Sequence, residues 1–181
     1  MSTARRRVLV ATRNAGKLRE LRAHLAALGL DVLDLDAAGV PRTLDDEGVE
    51  VHDTFEANAL AKARHYRDAA GGLPTIADDS GLEVHALGGA PGVRSRRWSG
   101  VDGDAASVDA ANNAKLLAEL RGHADRGARF VCAIAYVDGD GELVMRGTTD
   151  GAIVEAPAGV GGFGYDPLFW SDELGATFAE A

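Results

Sequence analysis

Asp78-Asp79-Ser80 sets two carboxylates and a hydroxyl side by side at the end of a short apolar run, Thr75-Ile76-Ala77. Neighbouring carboxylates repel each other, and burying them unpaired is costly. An apolar run of this kind reads as a strand entering a core. A strand that ends in Asp-Asp-Ser-Gly is then either a site for a divalent cation, which prefers carboxylate oxygens, or a polar turn at Gly81 before the run Leu82-Glu83-Val84. A second candidate is Thr12-Arg13-Asn14-Ala15-Gly16-Lys17, which follows an apolar run and opens a helical pattern. Strand, polar turn and helix together offer helix N-terminal amides to an anion. Lys17 falls in the first helical turn, where a cation opposes the helix dipole, and a phosphate would remove that conflict. An ordinary strand–helix connection is the alternative. The segment is not a Walker A loop, because it lacks the leading Gly and has Leu18 where Ser or Thr is required. Arg94, Arg96 and Arg97 place three arginines in four positions, either a phosphate clamp or a solvated turn.

These residues need elements to position them. Arg7 to Ala11 is expected to be the first strand. A helix follows with Leu18, Leu21, Leu25 and Leu28 on one face and Gly29 as its stop. Leu30 to Leu35 reads as a second strand, and Asp36 to His52 as an acidic, turn-rich loop with Asp45, Asp46, Glu47 and Glu50. Asp53 and Glu56 fit a capping box. A helix should then run to about Ala70, with Phe55, Ala59, Ala63, Tyr66 and Ala70 inward and Lys62 one helical face away from that stripe. Gly71-Gly72 ends it, and Pro74 leads into the Asp78-Asp79 strand. Asp104 is the expected cap of a third helix over Ala105 to Arg121. Ala128 to Val137 is a strongly apolar strand, Asp138-Gly139-Asp140-Gly141 a hairpin turn, and Glu142 to Arg146 and Gly151 to Glu155 are two further strands. Hairpins mixed with helical crossovers give an α/β class with a mixed sheet.

The totals narrow the functions. A chain of 181 residues, 46% hydrophobic, is one domain, or one domain with two lobes. Its net charge of −9 argues against a nucleic-acid polymer as partner, but not against a small nucleotide neutralised locally. No stretch approaches a membrane span and no signal peptide is seen, so a cytoplasmic protein is expected. The single cysteine, Cys132, forms no internal disulfide and is expected to be a buried structural thiol. The five histidines show no metal-binding spacing; His24 and His65 are placed on helix surfaces, and His85 on a strand after Val84. No nucleophile elbow occurs.

Four segments together carry a resemblance: Thr12 to Lys17; Thr54-Phe55 with Asn58-Ala59 and Lys62-Ala63-Arg64; Ile76 to Leu82; and Gly161-Gly162-Phe163-Gly164-Tyr165-Asp166-Pro167. With Leu87 to Gly92 between them, the chain closely resembles the inosine triphosphate pyrophosphatase family, the non-canonical purine nucleoside triphosphate pyrophosphatases. The resemblance implies an enzyme that hydrolyses deaminated purine triphosphates (ITP, dITP, XTP) to monophosphate and pyrophosphate. It implies Mg²⁺, a homodimer, and an elongated mixed sheet with flanking helices, in two lobes around a central nucleotide cleft. By motif, Thr12, Arg13, Asn14, Ala15, Gly16 and Lys17 would contact the triphosphate and Lys62 would bind phosphate. Glu50, twelve residues before Lys62, would stand at the metal-binding glutamate. Asp79 would be the catalytic carboxylate or a metal ligand, Ser80 a substrate contact, and Phe163, Gly164, Tyr165 and Asp166 part of the nucleotide pocket.

The chemistry agrees with these roles. Attack by water on the α-phosphorus puts charge on phosphoryl oxygens, which Mg²⁺ with Lys17, Lys62 and Arg97 would stabilise. Asp79 can position or deprotonate the water. Asp78 is either a second ligand or a structural acceptor, and Phe163 and Trp98 either stack on a purine or belong to the core. Two departures stand out: Arg94 replaces the family's usual tyrosine, and the chain ends at Ala181 without the family's C-terminal Ser-His-Arg segment. Two other readings are a pyrophosphatase for other modified nucleotides and a nucleotide-binding module without catalysis.

Overall fold

The computed structural model describes residues 6–43 and 48–181. Asp45, Asp46 and Glu47 of the acidic loop lie outside the described residues. The class is α/β, as expected. Three α-helices and a seven-stranded mixed sheet of order β2-β1-β3-β4-β5-β6-β7 occur among the described residues. The chain divides into two compact units, Met1–Asp79 with Ala133–Arg146, and Ser80–Cys132 with Gly147–Ala181. None of the described helices is long and apolar enough to cross a membrane.

In the first unit, β1 (Arg7–Val10) is buried through Val8, Leu9 and Val10, as a parallel strand covered on both faces must be. It pairs in parallel with β2 (Asp31–Leu33) and with β3 (Thr75–Val84). Helix α1 (Ala15–Ala27) joins β1 to β2, and α2 (Phe55–Ala69) joins β2 to β3. Parallel crossovers are right-handed, so connections leading to opposite sides of β1 lie on opposite faces of the sheet. The leucine face of α1 is shallower than its spacing suggests. Leu18, Leu21 and Leu25 are half-buried, and Leu28 is 76% exposed because the helix stops there, its N–H bonded to Leu25 O. The cap of α2 is Thr54 rather than Asp53: its Oγ1 accepts from the Ala57 N–H at 3.2 Å. Phe55, Ala59, Ala63 and Tyr66 are buried as expected, whereas Ala70 caps the helix and is half-buried.

In the second unit the core gathers Leu82 and Val84 of β3, Leu116 and Leu120, Ala128, Ile153, Tyr165, Leu168 and Phe169. Burial of Leu82 and Val84 carries β3 straight through Gly81, so the expected turn is absent and the stretch is one ten-residue strand. Helix α3 (Ala105–Glu119) is capped by Asp104, whose Oδ1 accepts from the Ser107 N–H at 2.8 Å. Strand β4 (Gly127–Val137) turns through Asp138 to Gly141 into β5 (Glu142–Ile153). The two strands expected over 142–155 are thus one; the intervening Thr148 and Thr149 suit a strand as well as their flanks do. Strands β6 (Phe169–Ser171) and β7 (Ala176–Thr177) add antiparallel pairs. Cys132 is half-buried rather than buried, since alternation on β4 turns Val131 and Ala133 inward and Cys132 away. His85 is exposed on a 3₁₀ turn over His85–Leu87 and does not continue the strand.

Candidate active site

The register of β1 against β3 fixes where the carboxylates fall. Leu9 pairs with Thr75 and Val10 with Ile76, so Asp78 and Asp79 extend past the carboxyl end of β1. Strand order reverses at β1, and open α/β sheets bind their ligands beyond strand carboxyl ends at such a point. Successive strand residues project to opposite faces. Accordingly, Asp78 meets Lys17 of α1, with Nζ 2.6 Å from Oδ2, and Asp79 meets Asn58 of α2, whose Nδ2 donates to Oδ2 at 3.0 Å. Both aspartates are buried. Lys17 is held against the helix dipole by Asp78, the role a phosphate was expected to fill.

Lys62, one turn after Asn58, forms an ion pair with Glu50 and is itself largely buried. Burial disfavours its charge, but Glu50, Asp78 and Asp79 outweigh that cost and hold its ammonium above the ordinary lysine value. Asp79 moves the other way. Burial raises its carboxyl above the usual range, Lys62 lowers it, and Glu50 adds repulsion. Asp78 Oδ1 is buried without a hydrogen-bond partner. Among the described residues no three His, Cys, Asp or Glu side chains form a ready metal cage.

Asn58 was not singled out as a site residue in the sequence. It is fully buried, and besides Asp79 it grips both backbone groups of His52, accepting from its N–H at 2.9 Å and donating to its carbonyl at 3.2 Å. The available signal was an amide on the apolar stripe of α2, four residues before a lysine.

The pattern of the Ham1 family matches residues 8–181. The chain belongs to the Ham1 family. It is 52% identical over 178 residues to a dITP/XTP pyrophosphatase of Ralstonia nicotianae, covering 97% of this chain and 85% of that one. It is 55% identical over 180 residues to a dITP/XTP pyrophosphatase of Nocardia farcinica, covering 96% and 83%. Its structure superposes with a TM-score of 0.75 on a nucleoside-triphosphatase / dITP/XTP pyrophosphatase from Mycobacterium abscessus, at 45% identity, covering 97% of this chain and 88% of that one.

The remaining candidate residues of this Ham1 chain fall in two groups. In the first unit, the Thr12–Lys17 turn is internally bonded. Thr12 Oγ1 accepts from Asn14 N–H, and Asn14 Oδ1 caps α1 by accepting from Gly16 N–H at 2.9 Å and Lys17 N–H at 3.2 Å. Those two helix amides are therefore satisfied by Asn14. Arg13 reaches Val40 O at 3.4 Å and Asp36 at 3.6 Å. In the second unit, Ser80 is half-buried on β3, and Arg94, Arg96 and Arg97 are exposed on a 3₁₀ turn. That turn is anchored by buried Ser95, whose Oγ accepts from Leu82 N–H and donates to Gly92 O. Phe163 is half-buried outside the core cluster, whereas Trp98 packs against that cluster with Lys115 Nζ 4.8 Å from its ring centre. Of the two aromatics, Trp98 packs on the core cluster and Phe163 is not part of it. Tyr165 is core as well, its hydroxyl donating to Ser95 O at 2.9 Å, while Asp166 Oδ2 accepts from Phe163 N–H at 2.8 Å.

Proposed function

We propose that this Ham1 protein hydrolyses deaminated purine nucleoside triphosphates (ITP, dITP and XTP) to the monophosphate and pyrophosphate. The observation that carries this reading is the set Lys17–Asp78, Lys62–Glu50 and Asp79 at the switch point beyond β1. Relatives about half identical over nearly the whole chain and named dITP/XTP pyrophosphatases support it.

Two lysines already held among carboxylates are set to exchange those partners for phosphate oxygens. Lys17 and Lys62 bind the triphosphate and stabilise charge that grows on it as water attacks the α-phosphorus. Asp79, buried at the end of the strand beside Asn58, orients that water and takes its proton. Asn58 holds the Asp79 carboxylate in one rotamer. The three carboxylates are hard oxygen donors, and Asp78 Oδ1 lacks a partner, which suits Mg²⁺. Glu50 and Asp79 would hold it. When bound there, Mg²⁺ would supply Lewis-acid stabilisation of the charge on the phosphates. Ser80, Arg97, Phe163, Gly164 and Asp166 are assigned to nucleotide contacts on the strength of the family motif, while Tyr165, expected among them, belongs to the core. A homodimer and a cytoplasmic location belong to the same proposal.

The test incubates the protein and Mg²⁺ with ITP, dITP, XTP, ATP, GTP and dTTP and separates pyrophosphate from orthophosphate. Monophosphate and pyrophosphate from ITP or XTP, with ATP and GTP spared, is the expected result. Preference for dTTP, or tight ITP binding without turnover, overturns it.

A further inference from the structure

The loop Phe163–Asp166 is held from one side by a helix that no motif brought into the site. Gly164 N–H donates to Asp109 Oδ2 at 2.8 Å, and Asn113 Nδ2 donates to Gly164 O at 2.9 Å. Asp109 and Asn113 are four residues apart on α3, hence on one face, so a single helical turn grips both backbone groups of one glycine. Gly164 has φ +62°, a left-handed conformation that disfavours other residues and lets the loop reverse there. The neighbouring residues are tied as well, through Phe163 N–H to Asp166 and Tyr165 OH to Ser95 O. The peptide planes before and after Gly164 are therefore both held by α3, while Phe163 stays half-exposed. A side chain free of the core on a backbone fully tethered to it is preorganised to meet a flat ligand.

We propose that Asp109 and Asn113 are positioning residues for nucleotide binding: acting through Gly164, they set the Phe163 ring for the purine without touching the substrate. The inference rests on the pyrophosphatase reading and extends it to α3. Asn113 Oδ1 is buried without a hydrogen-bond partner, so the amide is committed to the loop through its donor end alone. Shape-neutral changes at that donor therefore separate the clamp from general packing.

The experiment measures kcat and KM for ITP, with pyrophosphate as readout, in wild type, Asp109→Ala, Asp109→Asn and Asn113→Asp. Each variant is first checked for a cooperative thermal transition. Asn113→Asp keeps the size but loses the donor and should raise KM about tenfold with kcat within about twofold, the size expected for one hydrogen bond to a constrained backbone group. Asp109→Ala should do the same, and Asp109→Asn, which keeps an acceptor, should recover most of the loss. An unchanged KM in folded Asn113→Asp overturns the inference, as does a kcat loss at constant KM. Wild-type protein that releases no pyrophosphate from ITP would instead overturn the pyrophosphatase reading, and this inference with it.

Discussion

Asn58 Nδ2 lies 3.0 Å from Asp79 Oδ2, and the same amide group holds His52 through both its N–H and its carbonyl. One buried side chain of α2 thus links the carboxylate on β3 to the segment that carries Glu50. Asn58→Ala strands a buried carboxylate oxygen and two backbone groups at once. Leaving such groups unpaired costs about 1–3 kcal/mol each, partly relieved by water, so a loss of about 2–4 kcal/mol in urea unfolding is expected. Turnover of ITP should fall by more than the loss of folded protein accounts for.

Asp79 should weaken the fold it serves. Its carboxyl is raised in the folded protein, by burial first, so its favourable contribution is complete below the ordinary value of 3.8 and is lost as pH rises through the folded value. Asp79→Asn removes that loss. In EDTA, the variant should melt above wild type at pH 7, with the gap closing as pH falls toward 4. A variant melting below wild type at pH 7 counts against a destabilising buried charge.

Lys17 and Asp78 form a largely buried pair, their side chains 18% and 5% exposed. Removing one partner leaves the other charge uncompensated, which typically costs about 3–5 kcal/mol, whereas removing both can be nearly neutral. Lys17→Met should therefore destabilise strongly, and Lys17→Met with Asp78→Asn should regain much of the loss in denaturant unfolding. Both should raise KM for ITP. An unchanged KM would remove Lys17 from phosphate binding.

Gly151 pairs with Ser171 in the β5–β6 ladder, and a Cβ there would meet Trp170 O and the Phe169 ring. Gly151→Ala overpacks that contact and should cost about 1–3 kcal/mol. Gly139, in the β4–β5 turn, has open space around it, and Gly139→Ala should leave the melting temperature within about 2 °C, since surface changes rarely exceed about 0.5 kcal/mol.

How far the sequence spoke depended on how local each signal was. Asp104 and Asn14 lie beside the amides they bond, so helix starts near them were legible. Thr54 took the cap from Asp53 one residue away, and since both residue types cap helices the sequence does not separate them. The continuity of β3 was not legible, because Gly81 reads as a turn until Leu82 and Val84 are known to be buried. Strands β6 and β7, three and two residues long, are too short to show a period. Lys17, Lys62 and Asp79 were named from their motifs, but their pairings were not. Asp78 resolves the conflict between Lys17 and the helix dipole, and Asn58 reaches Asp79 across 21 residues. Only the folded register brings those groups together.

Pyrophosphate release from ITP in wild type and Asp79→Asn, side by side, decides whether Asp79 amid Lys17, Lys62 and Glu50 carries out triphosphate cleavage. Turnover by wild type and a loss of about a thousandfold or more in the variant, with ITP still bound, is the outcome the geometry requires of a residue that orients and deprotonates the attacking water. An Asp79→Asn protein that cleaves ITP at a near-normal rate would contradict it.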